Sequence, residues 1–147
     1  MFAIIPIKDS YPPPKGSRFL YRRRGAIFSS DDFSHELAIA VETDGGIVAL
    51  TGCSHHGILN ILAAVKDALP DRTIKALFGG FHLVSLPFAW TMSERKESVR
   101  ALGRELLQSH VEQFYRSHCT GSKGYRILKD IMGERLEYFP AGSKVRI

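Results

Sequence analysis

The sequence predicts an α/β fold, a mixed sheet with flanking helices, in a single domain over residues 1–147. Three observations carry that expectation. First, the apolar run 46–50 reads as a buried strand. Ile58, Ile61, Leu62, Val65 and Leu69 follow it at the i, i+3, i+4, i+7 spacing of one helix face. Second, another strand-like run at 75–78 comes after that helix, and strand–helix–strand order implies a right-handed crossover with parallel pairing. Third, an apolar run ends three times in histidine beside cysteine or glycine. These are TGCSHHG at 51–57, GGFH at 79–82 and SHCTG at 117–121.

In chain order, residues 1–30 read as an irregular lead-in. Residues 4–7 suit a short strand. Residues 11–16 form an extended loop, because Pro12, Pro13 and Pro14 exclude helix and a central strand. Arg22, Arg23 and Arg24 leave two readings open: a solvated turn, or a phosphate-binding edge, since arginine pairs bidentately with phosphate. The strand 37–42 and the strand 46–50 flank Asp44-Gly45, a hairpin signal. The helix 58–69 stops at Pro70-Asp71. The segment 83–90 is apolar but broken by Pro87, and its Phe88 and Trp90 either cover the core or line a pocket. Ser93 is placed as an N-cap with Glu94 in the first turn, and the helix runs to Gln108 with Val99, Leu102 and Leu106 on one face. A strand at 111–115, a helix at 124–132 stopped by Gly133, and strands at 136–139 and 144–147 close the chain. Residues 31–147 thus carry the sheet and helices in layers.

Composition excludes several classes. At 147 residues, 44% apolar and 24% charged, the chain can bury a core and is not of the disordered type. Its apolar runs are too short to span a bilayer. The first residues lack a secretory signal pattern, so the expected location is cytoplasmic. In a reducing compartment Cys53 and Cys119, each close to a histidine, are read as ligands or reactive thiols rather than as a disulfide. The formal charge of +5 permits an anionic partner without demanding one.

Of the six histidines, His35, His55, His82 and His118 stand beside predicted strand ends. Imidazole and thiolate together suit zinc, iron or manganese. His110 falls at a helix end, and His56 is a neighbour of the site rather than a ligand. A Cys/His nucleophile, Cys53 with His55 or Cys119 with His118, is the competing chemistry. The sequence carries no Walker-type phosphate loop, dinucleotide fingerprint or aromatic basic ribbon.

Four stretches in order, DDFSHEL at 31–37, TGCSH at 51–55, GGFHL at 79–83 and HCTG at 118–121, resemble the metallo-β-lactamase superfamily. The branch they look most like is that of the dihydropterin ribofuranosylaminobenzene-phosphate synthases, which YPPPKG at 11–16 also resembles. The resemblance covers nearly the whole chain but only the C-terminal part of the family's αββα sandwich. It implies a metal-dependent hydrolase with zinc as the first expectation, and iron or manganese as alternatives. By resemblance Cys53 or His55 stands where relatives place a metal-bridging acid. His118 matches their last histidine ligand, His35 the histidine before the preceding strand, and His82 lines the site. A small anionic substrate, phosphate-bearing or pterin-like, is implied, with Lys15, Arg18, Arg22, Arg23 and Arg24 as anion contacts.

The departure from the family pattern is its N-terminal His-x-His-x-Asp-His motif, since no histidine precedes position 35. Half a dinuclear site implies weak or absent activity in the isolated chain. Half a sandwich implies a homodimer or a separate N-terminal half, because an open sheet face or edge favours association. The alternative is a truncated or degenerate, non-catalytic relative acting as an oligomeric or binding module. A third reading, nucleic-acid binding through the three arginines, would show as steep salt dependence.

Overall fold

The protein is described from a computed structural model covering residues 1–85 and 91–147. The predicted roles of Phe88 and Trp90 lie outside the described residues. The strands are β1 (Phe2–Pro6), β2 (Tyr21–Arg24), β3 (Ile27–Ser30), β4 (Leu37–Thr43), β5 (Gly46–Thr51), β6 (Ile74–Gly79), β7 (Gln113–Arg116) and β8 (Leu136–Tyr138). The helices are α1 (Ile58–Ala68), α2 (Lys96–Gln108) and α3 (Ser122–Met132). Six strands form one sheet in the order β1-β4-β5-β6-β7-β8, while β2 and β3 make a separate hairpin. The sheet is mixed as expected: β1, β4 and β5 pair antiparallel, and β5 through β8 pair parallel.

The Asp44-Gly45 signal produces a two-residue hairpin loop closed by Thr43 opposite Gly46. Gly46 has φ +141°, and a Cβ there would stand 2.5 Å from the Thr73 carbonyl oxygen, so only glycine fits this corner. Past it, Val65, Ile61 and Ile58 bury the predicted face of α1.

Side-chain alternation gives the sheet two unlike faces. One row, read across paired strands, is Ala3–Ala40–Ala49–Leu77–Phe114–Leu136. It joins the core cluster that α1, α2 and α3 complete with Ile61, Val99 and Leu128. The next row, Ile4–Ile39–Leu50–Phe78–Tyr115–Glu137, faces the other way. Ile4 there is 61% exposed and Leu50 38%. Small alanines on the covered face let the helices approach closely; large apolar side chains stand on the open one.

Several expectations are corrected. The lead-in is not irregular, since it contains the edge strand β1, which starts two residues earlier than predicted, and the β2–β3 hairpin. Arg22, Arg23 and Arg24 lie in β2 rather than in a turn. The turn falls one residue later, where Gly25 supplies φ +60°. After Pro14 the predicted loop tightens into a short 3-10 turn, Lys15–Phe19. Ser93 does not cap α2. Its amide and hydroxyl both bond the Leu83 carbonyl, Arg95 occupies the cap position, and Glu94 receives the Lys15 amide instead. The strand predicted at 111–115 sits at Gln113–Arg116, and α3 starts at Ser122. Residues 144–147 form no strand. A turn at Pro140, closed by the Ser143 amide, leads them away, and Val145 and Ile147 remain exposed. No described helix is long and apolar enough to cross a membrane.

Candidate metal centre

The parallel strands β5, β6 and β7 all end at one edge of the sheet, where α/β proteins build their sites. Each strand hands its chain to one of the three histidine-bearing loops. The loops are tied to one another by main-chain bonds: Gly80 N–H to the Gly52 carbonyl at 2.8 Å, Ser117 N–H to that of Gly79 at 3.0 Å, and Leu83 N–H to that of Cys119 at 3.0 Å. Ser54, His82 and His118 hold φ of 59°, 43° and 38°. That strain is concentrated where the loops converge, as at functional sites generally.

The convergence brings Cys53, His118 and Cys119 together, with one donor atom from each lying within 4.8 Å of the others. Cys53 Sγ is 3.5 Å from His118 Nδ1, and the Cys119 thiol donates to the Cys53 carbonyl at 3.2 Å. His55 and His82 line the same cavity of about 450 Å³, walled on its apolar side by Leu20 and Val84. The His55 ring stacks on Phe33 at 4.7 Å and meets the His82 ring edge-on at 4.6 Å. His82 is buried, and neither of its ring nitrogens has a hydrogen-bond partner among the described residues.

Not every expected residue joins this cavity. The His35 side chain is 69% exposed and its Nδ1 lies 3.9 Å from Asp31. Lys15 reaches Glu94 at 3.7 Å. Arg22 pairs with Asp32 at 2.7 Å, Arg23 donates to the Gly25 carbonyl, and Arg24 is exposed. These basic residues sit on the strap and hairpin that flank Leu20, beside the cavity rather than inside it.

Glu36 and Asn60, assigned no role from the sequence, hold the site in place together with His56. Glu36 Oε1 accepts from the His55 amide at 2.7 Å and contacts His55 Nδ1 at 3.0 Å, while its Oε2 accepts from the His56 amide at 2.9 Å. His56 has both ring nitrogens engaged, Nδ1 with Asp9 at 2.7 Å and Nε2 with the Phe33 carbonyl at 3.1 Å, so it serves structure. Asn60, fully buried, binds the Ser10 and Tyr11 amides and the Tyr11 and His56 carbonyls, clamping the proline strap onto α1. A signal for Glu36 existed. Pairing that starts at Thr43 opposite Gly46 runs to Ala38 opposite Thr51, and two more residues carry Glu36 to Cys53. Cys119, read from the sequence as a ligand or reactive thiol beside His118, is absent from the ligand set that the resemblance implies.

The electrostatics separate the two thiols. Hydrogen bonding to Cys119, then to His55, holds Cys53 down to about 3, well below an ordinary thiol. Cys119 is pushed up by its bond to Cys53 and by burial. His55 is raised to about 9 by Cys53 and then by Glu36. His82 is lowered, first by burial and next by the charge on His55. The result is one thiolate, one thiol and a neutral buried imidazole around a small cavity. A thiolate and imidazole set of this kind matches the preference of zinc for nitrogen and sulfur donors. The orphaned His82 nitrogens are further unused donors. The residues present fit a bound metal.

No family model matches this sequence. The fold matches the crystal structure of Tm1679, a metal-dependent hydrolase of the β-lactamase superfamily, with a TM-score of 0.79 and 26% identity. The match takes in 99% of this chain and 53% of that one. The chain therefore shares the fold of that hydrolase over about one half of its length. In sequence it is 26% identical over 127 residues to the 7,8-dihydropterin-6-methyl-4-(β-D-ribofuranosyl)-aminobenzene-5'-phosphate synthase of Methanocaldococcus jannaschii, covering 86% of this chain and 40% of that enzyme.

Proposed function

We propose that this chain contributes one side of the metal site of a β-lactamase-superfamily hydrolase, with zinc held by Cys53, His118 and Cys119. The observation that supports this reading is the convergence of those three donors at the shared edge of β5, β6 and β7. A bound zinc supplies Lewis acidity and a water acidified toward neutral pH. The chain's own residues do the rest. Cys53 arrives already as thiolate, Glu36 fixes the His55 ring, and His55 Nδ1 holds a proton against that carboxylate. Leu20 and Val84 keep one wall of the cavity dry. The substrate is a small anionic molecule, phosphate-bearing or pterin-like, drawn toward the edge by Lys15, Arg18 and Arg22–24. The chain spans about half the length of the relatives it matches. Two free thiols fit a reducing, cytoplasmic setting.

The experiment is metal content per chain by elemental mass spectrometry after zinc reconstitution. About one zinc per chain is expected for the native sequence, and a large loss in His118→Ala. A native chain that takes up no metal, or a His118→Ala variant with unchanged stoichiometry, overturns the assignment.

The uncovered sheet face favours a second reading beside this one. In it the chain is a non-catalytic module that associates through Ile4, Ile39, Leu50 and Phe78, as a homodimer or on a missing half.

A further inference from the structure

Arg116 ends β7, two residues before the metal centre's His118, and alternation along the strand turns it away from the open face toward the side of Phe114. The residue is only 8% exposed. Its guanidinium carbon lies 4.1 Å from the centre of the Tyr125 ring on α3 and 3.9 Å from that of Tyr138 on β8. The two ring centres are 6.4 Å apart and the planes are tilted by 48°, so the rings form a wedge with the cation in its mouth. Nε is sealed from solvent and has no hydrogen-bond partner among the described residues. The terminal nitrogens are not sealed. Among the described residues no carboxylate pairs with this guanidinium: the described ion pairs engage Arg22, Arg72 and Arg100.

An arginine is always charged, and removing it from water is costly unless a counter-ion meets it. Two aromatic contacts offset part of that cost and hold the guanidinium plane in place. They leave its fork of donors unspent. A guanidinium so fixed, with its tips reaching solvent, is preorganised for a planar or tetrahedral oxyanion bound through two parallel N–H bonds. The outer wall, Tyr138, is 52% exposed.

We propose that Arg116, Tyr125 and Tyr138 form an oxyanion site, distinct from the Cys53–His118–Cys119 cluster, that takes the carboxylate or phosphate group of a small ligand. The site does not depend on the metal reading. The test uses the full, isotopically labelled chain with a chelator present and ionic strength held constant with chloride. Inorganic phosphate and acetate are titrated separately while the Arg116 Nε–H and the tyrosine ring signals are followed by NMR. A saturable shift is expected at Arg116 and at both rings, with affinity weakened about tenfold or more in Arg116→Lys, which keeps the charge and loses the fork. Saturation by phosphate alone identifies a phosphate ligand, by acetate alone a carboxylate, and by both the shared chemistry. A linear drift with either anion, or equal affinity in Arg116→Lys, overturns the proposal. The native chain alone decides the point should that variant not fold.

Discussion

Glu36 is a single carboxylate that engages both His55 and His56, and its side chain is only 7% exposed. Burial alone would raise its proton affinity; hydrogen bonds from the His55 ring and from the His56 and His55 amides outweigh that and hold it below its ordinary value of 4.5. A depressed carboxylate adds stability above its unfolded value, and that stability is lost as the pH falls through the folded one. Glu36→Gln should therefore cost about 1–3 kcal/mol at neutral pH, the scale of hydrogen bonds to a buried charge. Its melting temperature should also vary less between pH 5 and pH 3 than the native one, and parallel melting curves for the two proteins would refute this role. Gly80 acts at the same scale by having no side chain. A Cβ there would collide with Cys119 Sγ and stand 3.5 Å from the Cys53 Cα. Because a thiol can rotate aside, Gly80→Ala should keep the fold by circular dichroism yet weaken zinc binding on the order of 10–100-fold in a competition with a chelating dye. Unchanged zinc affinity would remove Cys119 from the ligand set.

At the scale of elements, α2 and α3 make one unit. Gly103 on α2 faces Leu128 and Ile131 on α3, and a Cβ on Gly103 would come within 3.3 Å of Leu128 Cδ2. The absence of a side chain lets the helices close, and Leu128 fills the gap with no exposure at all. Leu128→Ala removes that filling where the flanking helix cannot easily collapse, so a loss of about 2–5 kcal/mol is expected from urea unfolding. A loss below about 1 kcal/mol would mean that the helix pair is looser than described. The β4–β5 hairpin has the opposite duty. Its short loop fixes a register rather than a contact, and through that register Glu36 is delivered to the site.

For the whole molecule the open sheet face governs behaviour. Six strands spaced by ~4.8 Å, each offering about five residues at ~3.3 Å, present on the order of 500 Å². Two such faces bury about 1,000 Å², the lower bound for a specific interface. Sedimentation velocity at micromolar concentration should accordingly detect a dimer of the native chain. Replacing Ile4 and Leu50, both exposed, by lysine should give a folded monomer, since neither touches the helix-covered core. A native chain that stays a compact monomer would refute the self-association reading.

The sequence by itself determined most of the elements and their order. The hydrophobic period of α1, the Asp44-Gly45 turn and the glycine-flanked ends of β5 and β6 are local facts, set by backbone sterics and by which side chains avoid water. The clustering of chemistry was legible too, because a strand end followed by histidine recurs three times. Burial decided the errors. Exposed Arg22–24 carry no periodic apolar signal, so a strand paired only with its neighbour left no mark, and residues 144–147 carried a strand-like pattern with nothing to pair against. Tertiary structure alone decided which donors meet. His35 and His118 looked equivalent along the chain, yet the His118 ring meets Cys53 Sγ at 3.5 Å, whereas His35 turns outward to Asp31. Cys119, Glu36 and Arg116 acquire their environments from residues distant along the chain, because strand pairing sets Cys53 beside Cys119 across 66 positions, His55 beside Glu36 across 19 and Tyr138 beside Arg116.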